Sequence, residues 1–241
     1  MFIPVSTETL VLVRFGRWKK ILELERPKYP ELMLSRTASL RFARAVAYAS
    51  LGEVSKAKKE ADLFDVLRTS PEAGQRILHN NYVSSLLNVD APMMRGEIAY
   101  REGKYEEAFA LLREAVALQD GLSYDEPWGV MQPIRHALGG LLLEQGRVDE
   151  AESVFQIDLY FHPKNPWGLL GLISCLEAKV KSGTHGDVAI QAQLEELRCA
   201  FAEQRDSEWA DFEIKQSCEC CGRCISRTLK RNEDFGRAPG Y

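Results

Sequence analysis

The sequence predicts an all-α fold, a right-handed solenoid of stacked helix–turn–helix units, and three observations carry that prediction. First, four segments end a helix on glycine and restart it with an aromatic or branched residue: Phe15-Gly16-Arg17-Trp18, and the stretches Leu51–Ala57, Glu102–Ala108 and Gln145–Ala151 around Gly52, Gly103 and Gly146. Second, a small residue stands seven places before three of these glycines, at Ala45, Gly96 and Gly139, where it lets two helices approach closely. Third, a small residue stands five places after, at Ala57, Ala108 and Ala151, with Ala61, Leu112 and Phe155 one turn further on. One such unit cannot bury its apolar face alone, whereas stacked units share a continuous core and expose a curved surface.

This small-then-apolar arrangement is that of a tetratricopeptide repeat, whose period is about 34 residues. The glycine spacings here are wider, 36 (16 to 52), 51 (52 to 103) and 43 (103 to 146), so extra loop separates the middle units. Unit one is expected near 5–26, truncated in its first helix and closed by Pro27 and Pro30. Unit two covers 35–68. Unit three covers 82–119: its first helix, 82–102, contains Pro92 as a kink or irregular start, and its second carries the stripe Leu111, Leu112, Ala115 and Val116 behind the acidic first turn Glu106-Glu107. Unit four, 133–159, opens on Pro133 and is closed by Pro163. Unit five, 165–204, starts at Asn165-Pro166-Trp167, keeps Gly171 as its small residue and has an enlarged turn around Gly183 and Gly186. The expected organisation is thus a solenoid over 1–205, then a polar segment and a Cys- and Arg-rich flexible tail over 206–241.

With 241 residues the chain holds one or two domains. A formal charge of −4 argues against bulk binding of nucleic acid. No apolar run reaches the roughly 20 residues that span a bilayer, and the first ten residues lack the order of a signal peptide. The expectation is a soluble cytoplasmic protein with reduced thiols and no cofactor.

Several strings resemble a tetratricopeptide-repeat family of bacteria and fungi whose members are recognised mainly by their repeats. They are Leu12–Trp18, Leu78-His79-Asn80-Asn81, Tyr124–Gly129, Gln132–Gly139, Leu141–Ala151 and Ser217–Cys220. The resemblance covers nearly the whole chain, which looks like the C-terminal half of longer members. It implies the fold strongly and little of the function. Family members tend to carry histidine where this chain has Arg41, Leu170 and Ile173, and tryptophan at Val130; a site built on those histidines would be degraded here, although His79 and His136 remain.

Counting from the small residue of each first helix places Phe42, Val46, Met93, Glu97, Tyr100, Arg101, His136 and Glu144 toward a concave groove, with Arg14 as the equivalent in unit one and Arg135 beside His136. Such a lining suits an extended peptide or partner helix, with Arg and Tyr as hot spots; the competing reading is a solvated face with ordinary ion pairs. The loop Tyr124, Asp125, Glu126, Pro127, Trp128 pairs two carboxylates with aromatics, but reads better as an ordered corner in which Trp128 packs down and Arg135 pairs with a loop acid. Cys218, Cys220, Cys221 and Cys224 could hold zinc or a redox pair, yet they are cramped into seven residues; ordinary reduced thiols are the simpler reading. His79, His162 and His185 read as structural or loop residues.

The resulting expectation is a non-enzymatic scaffold that binds a protein or peptide segment in the groove. The alternative is a metal- or thiol-dependent protein using His136, Cys175 and the tail cysteines. A third possibility is that Phe2, Ile3, Val5 and Leu10, an apolar end left by the truncated first unit, mediate a homodimer.

Overall fold

Four helix ends close in the same way. In a computed structural model, which describes residues 7–125, 129–130, 133–183, 188–208, 214 and 217–218, Gly16, Gly52, Gly103 and Gly146 all take a left-handed conformation, φ between 58° and 81°. Each glycine N–H donates to the carbonyl three residues back, and the next N–H reaches five back: Gly52 N to Ala49 O (3.0 Å) and Glu53 N to Tyr48 O (2.8 Å), with the same pattern at Gly16, Gly103 and Gly146. This is the Schellman closure, and it needs a residue without Cβ at the left-handed position. The residue after glycine is the N-cap of the next helix in each case, so the chain reverses in two residues.

These turns join α1 (Thr7–Arg14) to α2 (Trp18–Glu23), α3 (Leu34–Ser50) to α4 (Val54–Arg68), α6 (Val83–Arg101) to α7 (Tyr105–Asp120) and α8 (Ile134–Glu144) to α9 (Val148–Phe161). A fifth pair is α10 (Pro166–Lys181) and α11 (Val188–Glu208), whose second helix runs past residue 204. Helix α6 passes through Pro92 without interruption. Between α4 and α6 lie elements with no counterpart in the sequence-based expectation: a short helix α5 (Pro71–Gln75), capped by the Ser70 side chain, and an antiparallel hairpin of β1 (Ile77–Leu78) and β2 (Asn81–Tyr82). Its two-residue turn, His79-Asn80, places His79 at φ 53°.

The chain divides into two compact units, the first ending at Gln132 and the second running from Pro133 to Cys218. In the first, α3 packs on α2, α4 and α6, and α6 on α4, α5 and α7. Glu60 of α4 is buried and gripped by two arginines of α3: Arg41 Nη1 donates to one carboxylate oxygen (2.6 Å) and Arg44 Nε to the other (2.9 Å). Arg44 also donates to the carbonyl of Leu22, which ties in the end of α2 (3.1 Å). Arg41 is therefore a structural cation. Glu60→Ala would leave two half-buried guanidinium groups without their acceptor, and an urea-midpoint measurement is expected to show a loss of about 2–4 kcal/mol.

In the second unit α8 packs on α9, and α10 on α8, α9 and α11. Ser217 and Cys218, expected at the edge of a flexible tail, are buried. Leu10, expected at an exposed apolar end, is buried as well; Phe2, Ile3 and Val5 lie outside the described residues.

Candidate functional site

The structure moves most of the expected groove lining indoors. Phe42 and Val46 on α3, Met93, Glu97 and Tyr100 on α6, and His136 on α8 are all buried. The cause is the stacking itself: α3 and α6 are covered by helices of neighbouring pairs as well as by their own partners, so a position counted as groove-facing falls between helices. Tyr100 packs edge-on against Tyr105 (5.0 Å between ring centres) and Phe109 (6.2 Å). Arg101 is half-buried, donates to Glu97 (2.8 Å) and lies over the Tyr100 ring. Arg14 is half-buried; Glu144 is exposed. Arg135 lies over the Phe161 ring at 5.4 Å.

His136 has a partner that the sequence did not suggest. Its Nε2 sits 2.8 Å from Oδ2 of Asp158 on α9, and both side chains are buried. Gly168 allows this: a Cβ there would come within 2.7 Å of the same Asp158 oxygen. One turn earlier on α9, the Phe155 ring is wedged between two glycines. A Cβ on Gly139 of α8 would stand 2.7 Å from it, and one on Gly171 of α10 would stand 2.4 Å from it. Gly96 of α6 likewise faces Leu112, 3.0 Å from where its Cβ would stand, so the small residues of α6, α8 and α10 mark close approaches. Cys175 is buried on α10, and among the described residues no group of three or more His, Cys, Asp or Glu is placed to hold a metal ion. Cys220, Cys221 and Cys224 lie outside those residues.

The loop after α7 forms an ordered corner in its described part. Asn81 of the hairpin donates to the Ser123 carbonyl (2.9 Å) and to Asp125 (3.1 Å), and accepts from Ser123 N–H (2.9 Å). The Asn80 side chain donates to the Tyr124 carbonyl (2.8 Å). Asp125 is therefore buried as an acceptor that fastens loop to hairpin, while Tyr124 stays exposed. Gly129 packs so closely on Leu86 that a Cβ would be 2.6 Å away. Glu126, Pro127 and Trp128 are outside the described residues.

This fastened hairpin forms one wall of an open groove of about 420 Å³ in the first unit. The other wall is the segment 29–36. Arg76 ties the walls together by donating to the carbonyls of Leu32 (3.0 Å) and Glu31 (3.1 Å), and Thr37 holds the segment through the carbonyls of Met33 and Pro30. The lining is mainly apolar, and Leu32 (74% exposed), Ile77 (63%) and Tyr29 (53%) stand open to solvent. Ser35, Leu78 and Val83 also border a second, smaller cavity of about 30 Å³. Into it faces Asp90 of α6, a buried carboxyl with no hydrogen-bonding or ionic partner among the described residues; burial pushes it up to about 7. The sequence did carry a signal for Asp90. It is an acid on the stripe formed by Leu86, Leu87, Val89, Met93 and Met94, where an apolar residue belongs.

Helix pairs joined by a repeated glycine turn, with small residues at the crossing points, define an all-α helical-repeat protein. Tetratricopeptide-repeat family models match residues 71–123 and 99–173. The chain is a tetratricopeptide-repeat protein. Among curated proteins and among solved structures none matches it significantly. No helix among the described residues is long and apolar enough to cross a membrane.

Proposed function

We propose that this chain is a non-enzymatic interaction module that binds a segment of a partner protein, and that the groove between residues 29–36 and the β1–β2 hairpin is where the segment docks. Tetratricopeptide repeats generally mediate protein–protein interaction. The observation that supports this location is the exposed apolar side chains, Leu32, Ile77 and Tyr29, on walls that are themselves hydrogen-bonded into place. Large apolar side chains concentrated on a rigid concave surface are the pattern of a binding site, because burying them against a partner releases surface that otherwise stays wet. With Phe42, Val46, Met93, Tyr100 and His136 of the first helices buried, the insertion between α4 and α6 and the segment 29–36 before α3 offer exposed apolar side chains in their place.

Selection of peptides from a random twelve-residue phage-displayed library on the purified chain tests this reading. Binders are expected, and their affinity is expected to fall at least tenfold on Ile77→Asp or Leu32→Asp, which put a charge on exposed positions without touching the core. Binders indifferent to both substitutions, or no binders at all, would refute the groove.

A further inference from the structure

The apolar groove explains attraction but not selectivity, and the chemistry for selectivity lies beside it. Ser35, Leu78 and Val83 border both the groove and the cavity that holds Asp90. The cavity, at about 30 Å³, has room for one or two water-sized groups, and a primary ammonium is of that size. Its described lining includes two hydroxyls, Ser35 and Ser39, beside the carboxyl of Asp90; the remainder is apolar, from Leu10 on α1 to Val130 after α7. A carboxyl so placed is a costly feature in a core unless something completes it.

We infer that the groove and cavity together take a lysine side chain of the docked segment, its four-carbon stem against Leu78 and Val83 and its ammonium donating to Asp90 and the two serine hydroxyls. This rests on the reading of the chain as a segment-binding module. A lysine fits because it joins an apolar stem to a compact, three-donor charge. Arginine's planar fork is too broad for a cavity of this volume. Asp90 is the only acid among the described residues lining groove and cavity; the cations there, Arg36 and Arg76, stand on the groove wall, and Arg76 donates to the backbone carbonyls of Leu32 and Glu31.

Charged groups on the elements packed against α6 bind partners other than Asp90. Asp65 of α4 binds Arg68 and Arg95, and Arg68 binds Asn88. Arg41 and Arg44 of α3 bind Glu60, and Asp125 of the loop binds the hairpin. Asp90 is thus the group whose ionisation should register in binding. The ammonium stays charged throughout the neutral range, so affinity is expected to rise with pH as Asp90 ionises around 7.

The library selection is extended to test this. Selected peptides are expected to share a lysine beside an apolar residue. Replacing that lysine by norleucine, which keeps the stem and removes the charge, is expected to weaken binding at least tenfold on the native chain and to leave it unchanged on Asp90→Asn. The pH dependence between 5.5 and 8 is expected to disappear in the same variant. Binders without lysine, or equal affinity for lysine and norleucine peptides, would overturn the inference while leaving the groove intact: the cavity then holds only water. Failure to select any peptide would overturn both. Should Asp90→Asn change the circular-dichroism melt, the lysine-to-norleucine comparison on the native chain decides alone.

Discussion

His136→Ala is expected to destabilise the second unit by about 3–5 kcal/mol, the range for removing one partner of a buried, hydrogen-bonded pair. The substitution leaves the Asp158 carboxyl buried, with its contact to His136 Nε2 gone and Gly168 pressed against it. It also opens a cavity at a position with no solvent exposure. Asp158→Asn should be milder, about 1–2 kcal/mol, because the amide keeps a hydrogen-bonding atom opposite the ring. Urea unfolding of the two variants provides the check. A His136→Ala protein as stable as the native chain would show that the pair contributes nothing to the fold, and would reopen the question of what a fully buried histidine does there.

Phe155→Ala is expected to cost a similar 3–5 kcal/mol, and the reason can be separated from simple loss of bulk. The ring occupies the space that Gly139 and Gly171 leave open. Gly171→Ala in the native background puts a Cβ 2.4 Å from that ring and should destabilise by about 1–3 kcal/mol. With Phe155 already truncated to alanine, the same change should be neutral or stabilising by up to about 1 kcal/mol, since alanine is the better helix former and the clash has gone. The sign reversal across the double-mutant cycle is the signature of a direct wedge. Additive effects of the two substitutions would mean that the glycine is retained for some other reason.

The features legible in the sequence are those set within a few residues. The Schellman turns at Gly52, Gly103 and Gly146 depend on a glycine and its immediate neighbours, so each pair of helices could be placed from the string alone. The small residues at Gly96 and Gly139 were legible for the same reason, their partners Leu112 and Phe155 being fixed by one helical hairpin. What remained hidden depends on packing between pairs. Tyr100 and Phe42 carry the side chains of a binding face, yet the stack covers them. The hairpin strands are two residues each, too short for any alternation to show. His136 and Asp158 are 22 residues apart and meet across a turn, so nothing local announced their pairing. Asp90 was visible as an acid on an apolar stripe, but only the cavity beside it gives that acid a purpose.

Backbone and methyl chemical-shift mapping of a selected peptide on the isotopically labelled chain tests most directly whether the segment 29–36 and the hairpin form the binding surface. Shifts concentrated at Leu32, Met33, Ile77, Leu78 and Val83, with the methyl groups of α9 and α10 unmoved, are the expected result. Shifts centred on any other surface, with the hairpin silent, would contradict it.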